Sequence, residues 1–305
     1  GTFGNYTPRT EPHEFLLRYS CVGCHSGLAG SSTNSIGAPI VYHTTSPGQT
    51  GPGYTLAGGD FYWVVQGEDR KGHNVAGLVN QDSLFGYTPP GWDPGATEGN
   101  QRGQIANGTS SWSQQLTCWG IYGCHGTNTY LKGHHLNITG QVNGTDVYSS
   151  YRFLYGIKGY EDKDWQWTAT STDHNEYAGY EGFSKGNVNY SQKYTISYLC
   201  GECHGIFYTK QHSGSAWLRH PSDYLLPNSG EYANYNNGAG YSILAPVARP
   251  TSFNFSGPSS TVTPGSDAIV MCLSCHRAHG SEFNSILRWD YSVTPNGCKV
   301  CHTQK

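Results

Sequence analysis

Ten cysteines, arranged as five pairs that are each followed directly by a histidine, constrain this 305-residue chain more than any other feature. In four pairs two residues separate the cysteines, which gives the pattern C-x-x-C-H. These four motifs are Cys21/Cys24/His25, Cys200/Cys203/His204, Cys272/Cys275/His276 and Cys298/Cys301/His302. In the fifth pair, Cys118/Cys124 with His125, five residues separate the cysteines. No cysteine lies outside the pairs, so one chemistry is expected to explain the set.

The C-x-x-C-H pattern is the attachment signature of c-type haem. The two thiols form thioether bonds with the porphyrin vinyl groups, and the adjacent imidazole is the proximal ligand of the iron. Zinc sites and redox-active C-x-x-C pairs are alternatives, but neither requires a histidine directly after the second cysteine. The four standard motifs therefore predict four haems. The Cys118/Cys124 pair stays open between a fifth haem, which His125 favours, and a short local disulfide.

The composition indicates that the polypeptide forms little of its own core. Leu, Ile, Val and Phe make up about 17% of the residues, charged residues only 13%, and the 41 Gly and 15 Pro indicate much loop. Bound haem would supply the missing apolar mass. We predict one domain over residues 1–305, with a loop-rich N-terminal part (1–117) and a haem-dense C-terminal part (195–305). Its predicted fold class is mostly irregular coil with short α-helices and a few short β-strands, a multihaem cytochrome c fold organised around a chain of haems.

The second axial ligand of each iron is predicted to be histidine. Methionine is the other common ligand of electron-transfer haems, but the single methionine, Met271, adjoins Cys272 of a haem motif. The histidines outside the motifs are sufficient for five irons, and they are His13, His43, His73, His134, His135, His174, His212, His220 and His279. An iron with two histidine ligands has no open position for a substrate. We therefore expect an electron-transfer protein rather than an enzyme.

One helix is predicted around the fourth motif. Ser266 and Asp267 are suitable N-terminal caps, the apolar run that follows leads into Cys272, and Gly280 would end the helix. His276 and His279 would then share one helical face. Two neighbours on one face cannot bind one iron from opposite sides, so His279 is predicted to ligate another haem, the nearest in sequence being that of Cys298/Cys301.

Other segments give weaker predictions. Residues 10–20 read as a short helix that carries His13, a distal-ligand candidate, on its first turn. The adjacent His134 and His135 would point in different directions and could serve two irons. Residues 26–115 read as a loop-rich wrapping layer in which Phe61–Val65 is the only strong strand signal, and Tyr151–Ile157 is strand-like by composition.

Charge and sequence features point to an exported protein. The net charge of −3 excludes a basic nucleic-acid-binding surface, and no apolar run is long enough to span a membrane. Haem c is attached on the outer side of the cytoplasmic membrane, and the chain begins with Gly1, so we expect a removed signal peptide and an extracellular or cell-surface location. Asn-x-Ser/Thr occurs at Asn5, Asn107, Asn137, Asn143, Asn189 and Asn254, which would carry sugar if the source glycosylates its surface proteins.

The C-terminal residues resemble a known family. The segment V-M-C-L-S-C-H-R-A-H-G-S (270–281), followed by G-C-K-V-C-H-T (297–303), resembles the doubled C-x-x-C-H module of multihaem cytochromes from metal-respiring bacteria and archaea. Similar stretches lie at 133–135, 151–154, 173–175, 217–224 and 245–249. The resemblance is patchy before about residue 115. It implies an extracellular electron carrier with bis-histidine haems, in which the distal ligands include His174, His220, His279 and the His134/His135 doublet. Members often hold four haems, which keeps the disulfide alternative at Cys118/Cys124 open.

Three functions follow as hypotheses. The first, suggested by relatives that polymerise, is a subunit of a conductive cytochrome filament built head to tail from copies of itself. The second is a discrete periplasmic or secreted electron carrier. The third is a multihaem reductase, which the surplus of histidines disfavours. Expected redox partners of the first two are electron donors and extracellular acceptors such as minerals and other cytochromes.

Overall fold

The computed structural model describes residues 21–94, 105, 108–126, 140–146, 149–182, 193–209 and 220–304. Within these ranges the regular elements are short and widely separated. The α-helices are α1 (Cys21–Cys24), α2 (Tyr62–Val65), α3 (Ile196–Gly201), α4 (Gly205–Thr209), α5 (Cys272–Cys275) and α6 (Asn296–Cys301). The strands are β1 (Ser26–Gly27), β2 (Tyr42–His43), β3 (Gly140–Val142), β4 (Gly159–Glu161), β5 (Glu176–Tyr177), β6 (Tyr224–Leu225) and β7 (Ile269–Val270). The prediction of a mostly irregular chain with short helices and few short strands is confirmed.

The strands form three small sheets. β1 and β2 pair in parallel, with Ser26 opposite Tyr42. β3, β4 and β5 form an antiparallel sheet in that order, and β6 pairs antiparallel with β7. None of these sheets is large enough to make a core alone, so the elements depend on contacts between distant segments.

The predicted helix beginning at Ser266 is wrong in its first half. Residues 268–271 are extended, and only Cys272–Cys275 is helical. Side chains alternate between two apolar clusters: Ile269 and Met271 enter one, and Ala268 and Val270 enter the other. A continuous apolar run does not distinguish a helix from a strand buried on both faces, and here the alternation of a strand fills both clusters.

The predicted strand Phe61–Val65 is also wrong, because Tyr62–Val65 forms the helix α2. Phe61 and Val64 both lie in a third apolar cluster, together with Val75. Residues three apart share a face only in a helical turn, whereas in a strand these two side chains would point to opposite sides. Packing therefore overrides the strand preference of the aromatic and β-branched residues.

The strand-like segment Tyr151–Ile157 begins instead as a 3₁₀ turn, Tyr151–Phe153. Arg152 and Phe153 adopt positive φ angles of 44° and 59°, which no strand contains. The predicted helix over residues 10–20 lies outside the described residues, so it stays a prediction.

Residues of the N-terminal wrapping segment pack directly on the C-terminal motifs. Gly280 lies between Gly59 and Gly72, and makes a β-bridge to each of them. The backbone N–H of Asp60 donates to the Gly280 carbonyl at 3.0 Å. Among the residues described, no helix has the length and apolar character needed to cross a bilayer.

Candidate haem sites

All five cysteine pairs share one local backbone arrangement. In each, the backbone N–H of the motif histidine donates to the carbonyl of the first cysteine. The N···O distances are 2.9 Å for His25, 2.9 Å for His125, 2.9 Å for His204, 3.1 Å for His276 and 2.8 Å for His302. In the longer fifth motif the extra residues loop out through Gly120, whose φ of +94° favours glycine. The Cys118/Cys124 pair therefore presents its histidine as the four standard motifs do.

Cys203 differs from the second cysteine of the other standard motifs. That cysteine is the last helical residue at Cys24, Cys275 and Cys301. Helix α3, in contrast, ends at Gly201, so Cys203 lies in the turn between α3 and α4. The Cys203 N–H still donates to the Cys200 carbonyl (3.2 Å).

The packing of Cys203 accounts for this difference. Its side chain is partly buried against a fourth apolar cluster, formed by Trp92, Ile105 and Trp112. The turn thus places Cys203 against residues of the wrapping segment. Attachment of haem through Cys203, as through the other nine cysteines, stays a prediction.

The five motif histidines also share the same side-chain hydrogen bond. Each Nδ1 bonds to a protein oxygen, which leaves Nε2 as the nitrogen facing away from that bond. The acceptors are the carbonyl oxygens of Pro39 for His25 (2.9 Å), Arg152 for His125 (3.0 Å), Pro90 for His204 (2.7 Å) and Ser285 for His276 (2.8 Å), and the Glu231 carboxylate for His302 (3.1 Å). A hydrogen bond of this kind orients a metal-binding imidazole and fixes its tautomer.

Two of these carbonyl acceptors lie in unusual backbone. Arg152 and Ser285 have φ angles of 44° and 59°, and each lies in a three-residue 3₁₀ turn. Positive φ is uncommon for residues other than glycine and is retained where surrounding structure holds it. Both turns aim a carbonyl at the Nδ1 of a motif histidine, so the strained positions coincide with the sites that orient the ligands.

Three histidines outside the motifs face motif histidines ring to ring. Within the described residues, every histidine–histidine ring contact joins one motif histidine to one histidine from outside the motifs. The pairs are His73 with His204 (6.1 Å between ring centres), His125 with His279 (6.2 Å) and His220 with His302 (6.1 Å). The two rings of each pair are too far apart to touch, yet the distance between their centres is almost the same in all three pairs.

That spacing fits a metal between the rings. An imidazole nitrogen lies about 2.0 Å from a bound metal and about 1.2 Å from its own ring centre, so two imidazoles on opposite sides of one ion have centres roughly 6.4 Å apart. The three observed separations, 6.1 to 6.2 Å, lie close to this value. Six histidines thus form three pairs at a spacing that axial ligands of one iron would have.

His73 and His279 are positioned by the same backbone contact. The His279 N–H donates to the Gly58 carbonyl (2.7 Å), and the His279 carbonyl accepts from the N–H of His73 (3.1 Å). Phe61 stacks on the His279 ring, with 4.7 Å between centres, and His73 Nδ1 bonds to the Ala278 carbonyl (2.6 Å). His279 thus lies beside the histidine of another motif, and its role as a ligand of another haem stays a prediction. It faces the Cys118/Cys124 motif, however, and not the expected Cys298/Cys301 motif.

Two other histidines have both ring nitrogens in hydrogen bonds to protein. His43 bonds to the Asp60 carboxylate through Nδ1 (2.5 Å) and to the Ser31 carbonyl through Nε2 (3.1 Å). His174, a predicted distal ligand, bonds to the Thr170 carbonyl (3.0 Å) and to Glu176 (3.1 Å), and its ring stacks on Tyr241. Both side chains are fully buried. The structure does not bring His174 opposite a motif histidine.

Sequence reasoning left the role of His73 undecided. Its Nδ1 acceptor lies 205 residues away and its ring partner lies in the third motif, so no local pattern marks it. The ring centre of His220 lies 6.1 Å from that of His302, and its role as a distal ligand stays a prediction. His13, His134 and His135 lie outside the described residues.

Burial favours the neutral form of four of the paired imidazoles, those of His73, His125, His204 and His279. Desolvation lowers the pKa of His204 to about 4 and that of His279 to about 3. It also lowers the pKa of His73 and that of His125. Neutral imidazole is the form that binds metal.

The thiols of successive motifs lie close together. Cys21 is within hydrogen-bonding reach of Cys118, and Cys200 of Cys272. Cys124 lies close enough to Cys200, and Cys298 to Cys275, to raise the pKa of that neighbour. The five motifs therefore follow one another in space in the order in which they occur along the chain. The structure describes all ten cysteines and joins none of them in a disulfide, those at Cys118 and Cys124 included.

Two buried cations test whether haem fits these sites. Arg277 and Arg288 are 7% and 8% exposed. Burial and their mutual repulsion lower the pKa of Arg277. No carboxylate of the described residues forms an ion pair with either, and the Nε atoms of both are buried without a partner. Buried charges need a counter-charge, and the two propionates of a haem are carboxylates, so the donor set fits haem rather than a bare metal ion. No group of three or more His, Cys, Asp or Glu in the described part could hold such an ion.

Paired cysteines, a motif histidine held through Nδ1 and, at three motifs, a second histidine opposite it are features typical of multihaem c-type cytochromes. Residues 266–305 match the family model of the doubled CXXCH motif, which confirms the resemblance found in the sequence. The C-type cytochrome OmcS of Geobacter sulfurreducens is 26% identical over 330 aligned residues, covering 89% of this chain and 70% of the relative.

Two solved structures from the same organism are also similar to this chain. An outer membrane cytochrome S filament matches at 21% identity and a TM-score of 0.48, covering 89% of this chain and 74% of the solved one. A structure of OmcS nanowires matches at 22% identity and a TM-score of 0.48, covering 88% and 73%.

Proposed function

We propose that this chain is an electron-transfer protein that carries a row of five covalently attached haems, each held between two histidines. One observation carries the proposal: three motif histidines face non-motif histidines at the spacing that an iron requires. Bound haems supply one-electron chemistry, because each iron can accept and release an electron in turn. The protein's residues orient the imidazoles and set the order of the sites.

The fifth haem, at Cys118/Cys124, is part of this proposal. His125 repeats both hydrogen bonds of the standard motifs, to the Cys118 carbonyl and to a carbonyl at Nδ1. Its ring lies opposite His279. A disulfide would leave this orienting network without a function. The distal partners of His25 and His276 are proposed to come from His13, His134 and His135.

We further propose that copies of the chain polymerise head to tail. OmcS, the 26%-identical relative, has been solved as filaments and nanowires. In this chain, exposed apolar side chains adjoin both terminal motifs. Leu28 and Ile36 are 69% and 71% exposed near the first motif, and Tyr291 and Val293 are 67% and 75% exposed before the last. Such residues at both ends of the row suit a repeating contact between a front and a back surface, in an extracellular setting.

The haem count tests the proposal through the intact mass of the purified protein. We expect the mass of the polypeptide plus five haems. A mass with four haems and two fewer hydrogens would assign Cys118/Cys124 to a disulfide, and a mass with no haem would overturn the proposed function.

A further inference from the structure

The last motif differs from the other four in what holds its histidine. His25, His125, His204 and His276 each bond through Nδ1 to a neutral carbonyl. His302 alone bonds to a carboxylate, that of Glu231, with 3.1 Å between Nδ1 and Oε1. Both side chains are largely shielded, at 21% exposed for His302 and 16% for Glu231.

Several contacts keep this carboxylate in place. Glu231 is the second residue of a 3₁₀ segment, Gly230–Gly238, that packs against α6, the helix of the last motif. The Thr303 hydroxyl donates to the Glu231 backbone carbonyl (2.7 Å). Glu231 therefore bonds both to His302 and to the residue that follows it in the chain. Tyr232 packs edge-on against the His302 ring, with 5.1 Å between centres. The contact is thus built from the backbone and both neighbouring side chains.

A carboxylate acceptor changes what the imidazole does for a bound metal. It draws the Nδ1 proton more strongly than a carbonyl does, which makes the opposite nitrogen a stronger electron donor. A stronger donor favours the higher oxidation state of the metal. The negative charge itself acts in the same direction.

We propose that Glu231 is a positioning residue that sets the haem of Cys298/Cys301 to a more negative reduction potential than a neutral acceptor would. This inference rests on the proposed function, since it requires haem at the last motif. Glu231 would thus tune the reduction potential of the haem at one end of the row. The other four motifs have no carboxylate in this position.

The test is a redox titration of the holoprotein followed by visible absorbance, comparing wild type with Glu231→Gln. Glutamine has the same shape and still offers an oxygen to Nδ1, but it carries no charge. We expect a share of the absorbance change equal to one haem to move to more positive potential, and Glu231→Ala to move it further. Asp290→Asn is the matched control, because it removes one carboxylate near the same motif without touching a proposed ligand, and it should leave the titration unchanged.

Haem content, measured on every variant, separates the two proposals. If wild type carries haem at the last motif and Glu231→Gln titrates as wild type does, Glu231 has no tuning role. An equal shift in Asp290→Asn would also reject that role, because it would show a general charge effect. Absence of haem in wild type would instead reject the proposed function. Should Glu231→Ala lose haem, Glu231→Gln still decides the question.

Discussion

Single residues show what the sequence could and could not predict about the sites. The cysteine pairs and their histidines are local patterns, and all five appear in the structure with the same backbone and Nδ1 hydrogen bonds. The distal ligands are not local. The resemblance implied that His174 is a distal ligand and left His73 undecided, but His73 faces a motif histidine and His174 is engaged through both nitrogens. Only the positions of distant segments distinguish them.

That distinction predicts opposite outcomes for two alanine variants. His73→Ala removes the imidazole opposite His204, so one haem should change from low spin to high spin. His174→Ala should leave every haem low spin, although it deletes a buried hydrogen bond to Glu176 and should lower the free energy of unfolding by roughly 1–3 kcal/mol. Absorption and electron paramagnetic resonance spectra of the two holoproteins measure the spin states. A high-spin haem in His174→Ala, with none in His73→Ala, would reverse our assignment.

At the scale of elements, the predictions failed where packing decides the conformation. Residues 268–271 and 61–65 are both apolar runs, one extended and one helical, and each conformation places its side chains in the clusters available. Short elements have little intrinsic stability, so local preference is readily overridden. The wrapping segment has a structural role that composition did not reveal. It contains His73, and its residues Gly58 and Phe61 contact His279.

The contact between Gly59 and Gly280 is predicted to be essential for that task. Gly59 has a φ of +79°, and a Cβ there would overlap the Gly280 carbonyl oxygen. Gly67 has a φ of +90° but open space around it, so it is a matched control for backbone strain. Gly67→Ala should lower the free energy of unfolding by roughly 1–2 kcal/mol. Gly59→Ala should lower it by more and perturb the haem that His279 is proposed to ligate.

Denaturant titration together with the spin state of the haems checks this pair of variants. Equal losses of stability, with unchanged spectra in both, would show that the close approach of the two backbones does not position His279.

Across the whole molecule, the motifs succeed one another in space as they do in sequence, and exposed apolar side chains lie near the first and the last. The C-x-x-C-H spacing predicted haem but not this order, because the order depends on contacts between thiols of different motifs. A row of haems whose first and last members lie near the surface would suit electron transfer between copies of the chain.

Polymerisation can be tested at one end of the row. Val293→Ser should reduce filament formation, because it removes exposed apolar surface beside the last motif, while haem content stays unchanged. Leu84→Ser is the control, since Leu84 is equally exposed, at 75%, but lies in another loop. Electron microscopy of both variants and wild type measures the outcome. Wild-type particles that remain single at high concentration would contradict the filament proposal.

The central claim is that histidine pairs hold a row of irons. Iron anomalous scattering from crystals of the holoprotein, or iron density in a map from electron microscopy, tests it most directly. We predict five iron sites in a row, three of which lie between the rings of His73 and His204, His125 and His279, and His220 and His302. Iron sites elsewhere, with these three ring pairs empty, would contradict the account.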